Sequence, residues 1–253
     1  MIFGFIVTFT PIFLSCFLAR RIGGLLYYLD YKHRAVAYSN IKTAFGAKLS
    51  PKQLARLTRE FYRNFGQNLI EVFFIPMVNK KYIEKYISFE GLQYVDEAFK
   101  KKKGVILLGV HAGSWELSNI ICANLGFSFS VFVREQKFTR LNALLNSYRR
   151  QKGCKLIERQ NQTRQLIEAL KNNEAIGLTA DQGGSLGELV TFFGKDASMA
   201  TGALKLALKY DSVILPAYYT RVKGPYIKTV IDRPLKSRKP EIWRMISMIT
   251  CRS

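Results

Sequence analysis

The chain has 253 residues, enough for one substantial α/β domain behind a helical extension. Its net charge is +21, from 39 Lys and Arg against 18 Asp and Glu, yet 48% of its residues are apolar. That balance excludes a disordered polycation and points to anionic surfaces: lipid headgroups, nucleic acid or an acidic protein partner. Cys16, Cys122, Cys154 and Cys251 form no CxxC pair, and His33 and His111 are the two histidines. A Cys/His zinc site therefore has almost nothing to build from, and the thiols fit a reducing, cytoplasmic-side protein better than a disulfide framework.

The first 18 residues, Met1 to Leu18, carry no charged side chain, and Arg20-Arg21 follow at once. A signal peptide fits poorly, for want of a basic n-region and a small-residue cleavage site. Membrane attachment is expected, as a short span or an interfacial helix; the alternative is a core helix interrupted at Pro11. A span would leave the body on the cytoplasmic side of the membrane, because Arg20-Arg21 lie on that flank. Residues 1–22 are read as the anchoring helix and 23–253 as a single α/β domain, helical over 23–80 with its α/β core over 84–235.

Ser50-Pro51 opens the clearest helix, with Ser as N-cap and Pro at the first helical position. Its apolar residues are Leu54, Leu57, Phe61, Phe65, Leu69 and Val72, and its basic face carries Arg56, Arg59 and Arg63. That face is either solvated or in contact with anionic lipid. After Ile83 the rhythm changes to strand–helix alternation. Strands are expected at 86–89, 105–110, 128–134, 154–157, 175–180, 189–193 and 213–219. Helices are expected from Gly91 to Lys101, then over 115–124, 140–151, 162–171 and 199–209. The pattern predicts an α/β fold with a mainly parallel central sheet flanked by helices.

Within it, Gly104-Val-Ile-Leu-Leu-Gly-Val110 reads as a buried strand, and Ser114 as the N-cap of the next helix. His111 then sits at the carboxyl edge of a strand and Glu116 in the first helical turn. A regular helix would point residues five apart away from each other, so a break at Gly113 is needed to bring the carboxylate back to the imidazole. A His so oriented has the geometry of a general base. Arg134 ends a second strand, and Asp181-Gln182-Gly183-Gly184 ends a third. In open α/β sheets that edge is where ligands bind.

The ordered set His111-Ala-Gly-Ser-Trp-Glu116, Val133-Arg134, Tyr148-Arg149-Arg150, Thr179-Ala-Asp181-Gln182, Thr191-Phe192-Phe193-Gly194 and Ala200-Thr201-Gly202 resembles the lysophospholipid acyltransferase superfamily, in its bacterial lipid A late acyltransferase branch. The first segment matches the family's H-x4-(D/E) motif, and the resemblance runs over roughly 25–234. It implies acyl transfer from an acyl-carrier-protein or coenzyme A thioester to a hydroxyl of an anionic membrane glycolipid, with no cofactor and no metal. The implied location is the inner membrane, with the catalytic domain on the cytoplasmic face. His111 would be the general base and Glu116 its orienting carboxylate. Arg134 and Arg149 would contact anions; each is otherwise an ordinary surface or salt-bridge arginine. Asp181, with Gln182 and Gly183, would orient a substrate hydroxyl or pair with an arginine; equally, Asp181 caps a turn. The family commonly continues with a helix and a Trp-rich basic segment. Here ten residues follow Trp243, so a shortened helix is expected over 240–253.

Gly183-Gly-Ser185-Leu-Gly187 fits the G-x-S-x-G nucleophile pattern, but Glu188 to Phe193 reads as a strand where that elbow needs a helix, and no His follows. Phe192 and Phe193 pack in the core or line an acyl groove. His33, amid Tyr31-Lys-His-Arg34, is expected on an exposed basic helix. Two other functions remain: acylation of another phospholipid or glycolipid, and a non-enzymatic basic module. Nucleic acid is not the expected partner, since the basic residues are scattered and lack an interleaved aromatic motif.

Overall fold

The structure is a computed structural model that describes residues 9–133, 138–157, 161–184 and 187–235. It divides into two compact units, one ending at Phe74 and the other starting at Ile75.

The first unit is helical: α1 (Ile12–Leu29), α2 (Tyr31–Phe45) and α3 (Pro51–Glu71). Pro11 stands at the N-cap of α1. Asp30 caps α2 by accepting from the His33 N–H, and the exposed His33 ring lies 2.8 Å from the same carboxylate. Ser50 and Gln53 close a capping box over the start of α3, and Pro51 takes the first turn as expected.

The inward row of α3 differs from expectation. Leu54, Thr58, Tyr62 and Gly66 are buried, whereas Leu57, Phe61, Phe65 and Leu69 are 37–51% exposed. The cause is the way α1 meets it. A Cβ on Gly23 would lie 2.3 Å from the Tyr62 carbonyl oxygen, and one on Gly66 would lie 2.6 Å from that of Ala19. Backbones this close require the row that carries Gly66 to face α1, and the bulkier row is displaced outward. By length and composition α1 is long and apolar enough to cross a membrane.

A 3-10 turn over Val72–Met77 spans the boundary. The second unit runs α4 (Lys80–Tyr86), β1 (Ile87–Glu90), α5 (Leu92–Lys100), β2 (Val105–Gly109), α6 (Trp115–Ala123), β3 (Phe129–Phe132), α7 (Thr139–Gln151), β4 (Lys155–Ile157), α8 (Gln162–Lys171), β5 (Ala175–Thr179), β6 (Glu188–Phe192), β7 (Lys195–Met199), α9 (Gly202–Tyr210), β8 (Val213–Lys223) and β9 (Tyr226–Ile231). Seven strands form one sheet in the order β1-β9-β8-β2-β5-β3-β4. Strands β8, β2, β5, β3 and β4 run parallel; β9 is antiparallel to β8 and parallel to β1. The chain is thus α/β with a mostly parallel sheet flanked by helices, as its alternation predicts.

The centre is β2. Val105 to Leu108 are at most 4% exposed, the continuous apolar run expected where helices cover both faces. Two strands were not expected. Met199 closes β7 rather than opening a helix, and α9 begins at Gly202. Phe193 and Gly194 both have positive φ, 50° and 73°, which folds β6 back onto β7 through a two-residue turn. Beyond Tyr219, β8 continues to Lys223 and returns as β9.

Candidate active site

His111 follows β2 by two residues, and Asp181 follows β5 by two. The strands pair in parallel with Gly109 opposite Thr179, and the Ala180 N–H donates to the Gly109 carbonyl. Carried two residues further, the same register sets His111 beside Asp181. Parallel neighbours in register share a side of the sheet, so the two side chains meet. His111 Nδ1 lies 2.8 Å from Asp181 Oδ1, and the His111 backbone N–H donates to Oδ2, also at 2.8 Å. One carboxylate thus fixes both the ring and its backbone.

The pairing sets the chemistry of the imidazole. The bond to Asp181 raises the His111 pKa above the ordinary histidine value, against partial burial, which lowers it. Burial pushes Asp181 upward, but the bonds from His111 outweigh it and hold the carboxyl below its ordinary value. With Nδ1–H donated to Asp181, Nε2 is left as the basic nitrogen. His111 is 36% exposed, so a substrate can approach it. The Trp115 ring stands edge-on at 6.3 Å between centroids.

The expected partnership of His111 with Glu116 is corrected here. Gly113 does break the chain with φ 61°, and a Cβ there would meet the Tyr219 carbonyl oxygen at 2.8 Å. The turn leads α6 off along the sheet, and Glu116 faces α7. Arg149 donates to it twice, from Nε to Oε2 at 3.0 Å and from Nη2 to Oε1 at 2.5 Å. A third nitrogen, Nη1, donates to Asn146 Oδ1 at 2.6 Å. Arg149 is buried, and its guanidinium is committed to the protein rather than presented to an anion. The pair joins α6 to α7.

Ser114 occupies the N-cap of α6 and is buried, but its side chain makes no capping bond. Cys122, inside α6 as expected, lies 3.0 Å from the Tyr219 hydroxyl, and Tyr219 also donates to the Ser118 carbonyl. These contacts tie α6 to β8. Burial pushes the Cys122 thiol up to about 11 and Cys154 up to about 12, so neither is a thiolate nucleophile near neutral pH.

Gln182 is exposed beside Asp181. The Gly183 N–H donates to the Ser198 carbonyl, and a Cβ on Gly183 would lie 2.6 Å from the Met199 nitrogen, so the loop after β5 is pressed against β7. Phe192 packs against the apolar core, with the Phe193 ring edge-on to it at 4.6 Å. Arg134, Ser185, Trp243 and Cys251 lie outside the described residues. The segment after Gly187 is a strand, which an α/β-hydrolase elbow does not allow. Among the described residues no three His, Cys, Asp or Glu side chains group as a metal site.

Asp181 was legible as a candidate but not as the partner of His111. The signal that could have found it is arithmetic. Each residue stands six positions beyond the first residue of its strand, Val105 or Ala175, and that match has meaning once β2 and β5 are known to be neighbours.

Residues 1–241 match the family described as bacterial lipid A biosynthesis acyltransferase. The chain belongs to this family. It is thereby an acyltransferase. The chain is similar to the lipid A biosynthesis acyltransferase of Haemophilus influenzae, at 22% identity over 225 residues that cover 87% of this chain and 70% of that protein. It is also similar to the lipid A biosynthesis palmitoleoyltransferase of Escherichia coli and a lipid A biosynthesis acyltransferase of Shigella flexneri. Each is 24% identical over 167 residues, 66% of this chain and 54% of the relative. The chain spans about half the length of these last two.

Proposed function

We propose that this acyltransferase moves a fatty acyl group from a thioester of acyl-carrier protein or coenzyme A to a hydroxyl of an anionic membrane glycolipid, a lipid A precursor, at the cytoplasmic face of the inner membrane. The observation that carries the mechanism is the His111–Asp181 pair at the central carboxyl edge of the sheet.

In this mechanism the acceptor hydroxyl attacks the thioester carbonyl carbon while His111 Nε2 takes its proton. Asp181 stays ionised, holds the Nδ1–H tautomer and stabilises the imidazolium, as the acid of a catalytic triad does. The tetrahedral intermediate collapses by breaking the carbon–sulfur bond, and the imidazolium returns its proton to the departing thiolate. No acyl-enzyme is needed, because the lipid alcohol is the nucleophile. Glu116 acts through Arg149 by clamping α6, which carries Trp115, to α7. Arg134, which follows β3 in sequence, is the proposed anion contact, and Asp181-Gln182-Gly183 bounds the acceptor side.

The experiment offers the full chain a phosphorylated disaccharide lipid, a lysophospholipid or a phosphatidylinositol mannoside as acceptor, each with acyl-carrier-protein and coenzyme A donors. Products are read by mass spectrometry. An acylated disaccharide that depends on His111 supports the proposal, and the better donor identifies the thioester. Acylation confined to another lipid would replace the acceptor. His111→Ala should lower turnover by about 10²–10⁴-fold with substrate binding retained, the usual contribution of a general base.

A further inference from the structure

We infer that α1 and α3 lie side by side in the plane of an anionic membrane surface, and that α1 does not cross the bilayer. This rests on the membrane association proposed above and not on the acyl-transfer reaction.

Three observations carry it. The first is the position of charge in α1. Arg20 and Arg21 fall at its middle, and Arg20 donates to Glu60 at 2.8 Å and to Asn64 at 2.6 Å on α3, where Arg63 also binds Glu60. At 18 residues, α1 is about 27 Å long, close to the roughly 30 Å hydrocarbon thickness. A spanning α1 would therefore hold these arginines, with Glu60 and Arg63 attached, near the bilayer centre. The second is that α3 cannot be left behind, because Gly23 and Gly66 bring the two backbones into contact. Helix α3 runs antiparallel beside it, with Arg63 against Gly24 and Arg59 over the Tyr28 ring, so these arginines would enter with it.

The third is the outer surface. On α1, Phe13, Leu14, Phe17, Leu18, Ile22 and Leu25 are 47–59% exposed. On α3, Leu57, Phe61, Phe65 and Leu69 form an exposed row. At 100° per residue that row lies nearly opposite Arg56, Arg59 and Arg63. An apolar row backed by arginines is the pattern of a helix that seats its apolar side about 5–10 Å into the headgroup–acyl boundary. The charge complementarity, in a chain of net charge +21, names an anionic leaflet as the occupant.

Thr10 and Tyr31 bracket α1, and the three described cysteines are buried, so Thr10→Cys and Tyr31→Cys report its two ends against a low background. Inside-out and right-side-out vesicles from expressing cells are labelled with a membrane-impermeant maleimide, with the parent chain as control. In-plane helices give labelling of both positions in inside-out vesicles and loss of both signals in right-side-out ones. Labelling of the two positions from opposite sides overturns the inference.

A second measurement reports depth. An environment-sensitive dye on Phe65→Cys should shift to the blue on phosphatidylglycerol vesicles and be quenched by shallow nitroxide lipids; emission as in water overturns the inference. Phe61→Asp with Phe65→Asp should weaken partition into those vesicles by roughly tenfold or more, with circular dichroism showing that the fold is kept. Unchanged partition by that folded variant also overturns it. None of these readouts uses acyl transfer, so failure here leaves the proposed reaction standing, and failure of the reaction leaves this anchor standing.

Discussion

Asp181 and Glu116 answer differently to loss of charge, because only Asp181 touches the imidazole. A general base must be neutral, and the bond to Asp181 raises the His111 pKa. The rate should therefore climb with pH through a value above the ordinary histidine range. Asp181→Asn should lower kcat and move that limb of the kcat/KM profile to lower pH; Glu116→Gln should leave its position unchanged. A shift caused by Glu116→Gln instead would return the orienting role to that residue. Stability runs the other way. His111 contributes fully below its ordinary pKa, and this is lost as pH rises through the raised one. Asp181 contributes above its ordinary pKa, and this is lost as pH falls through the depressed one. The pair is thus strongest in mild acid, between the ordinary aspartate and histidine values, and weakens where catalysis becomes fastest. His111 was legible because a buried apolar run ends just before it. Its partner was not, since Glu116 is five residues away and Asp181 seventy, and only knowledge that β5 lies beside β2 makes the distant residue the near one.

The Glu116–Arg149 pair belongs to the scale of elements, since it joins the start of α6 to the end of α7. Arg149 is 6% exposed, so removing one partner leaves a charge buried without its counterion. Arg149→Ala should cost about 3–5 kcal/mol in urea unfolding, while an Arg149→Met, Glu116→Leu double variant should recover most of it. Equal costs for the single and double variants would show that side-chain packing, not the uncompensated charge, dominates. Helix α3 shows the limit of periodicity at this scale. Its pattern identifies a helix starting at Ser50, but two apolar rows satisfy the pattern, and the close backbone approach at Gly66 selects the one that turns inward. Likewise the alternation after Glu188 identifies β6, whereas β7 depends on two residues of positive φ, one of them Phe193, which carries no turn signal of its own.

At the scale of the whole molecule, the fold class is legible because short apolar runs alternate with helices whose lengths suit crossover connections. Charge is legible too, but it names a class of partner rather than a geometry. Its consequence can be separated from that of apolar burial by salt. Exposed charges more than a Debye length from the headgroups are screened, and that length falls from about 10 Å at 0.1 M to about 3 Å at 1 M. Each Lys or Arg near an anionic leaflet contributes roughly 1 kcal/mol, and this part should fade across the titration. Contact of the Phe61–Phe65 row with the acyl boundary is not electrostatic and should persist or strengthen. Sedimentation with phosphatidylglycerol-rich vesicles should therefore fall steeply with salt and level off at a plateau, and neutral phosphatidylcholine vesicles should show that plateau alone at every salt concentration. Full release from anionic vesicles at 1 M salt would mean that charge holds the protein on the surface with no apolar side chain entering it.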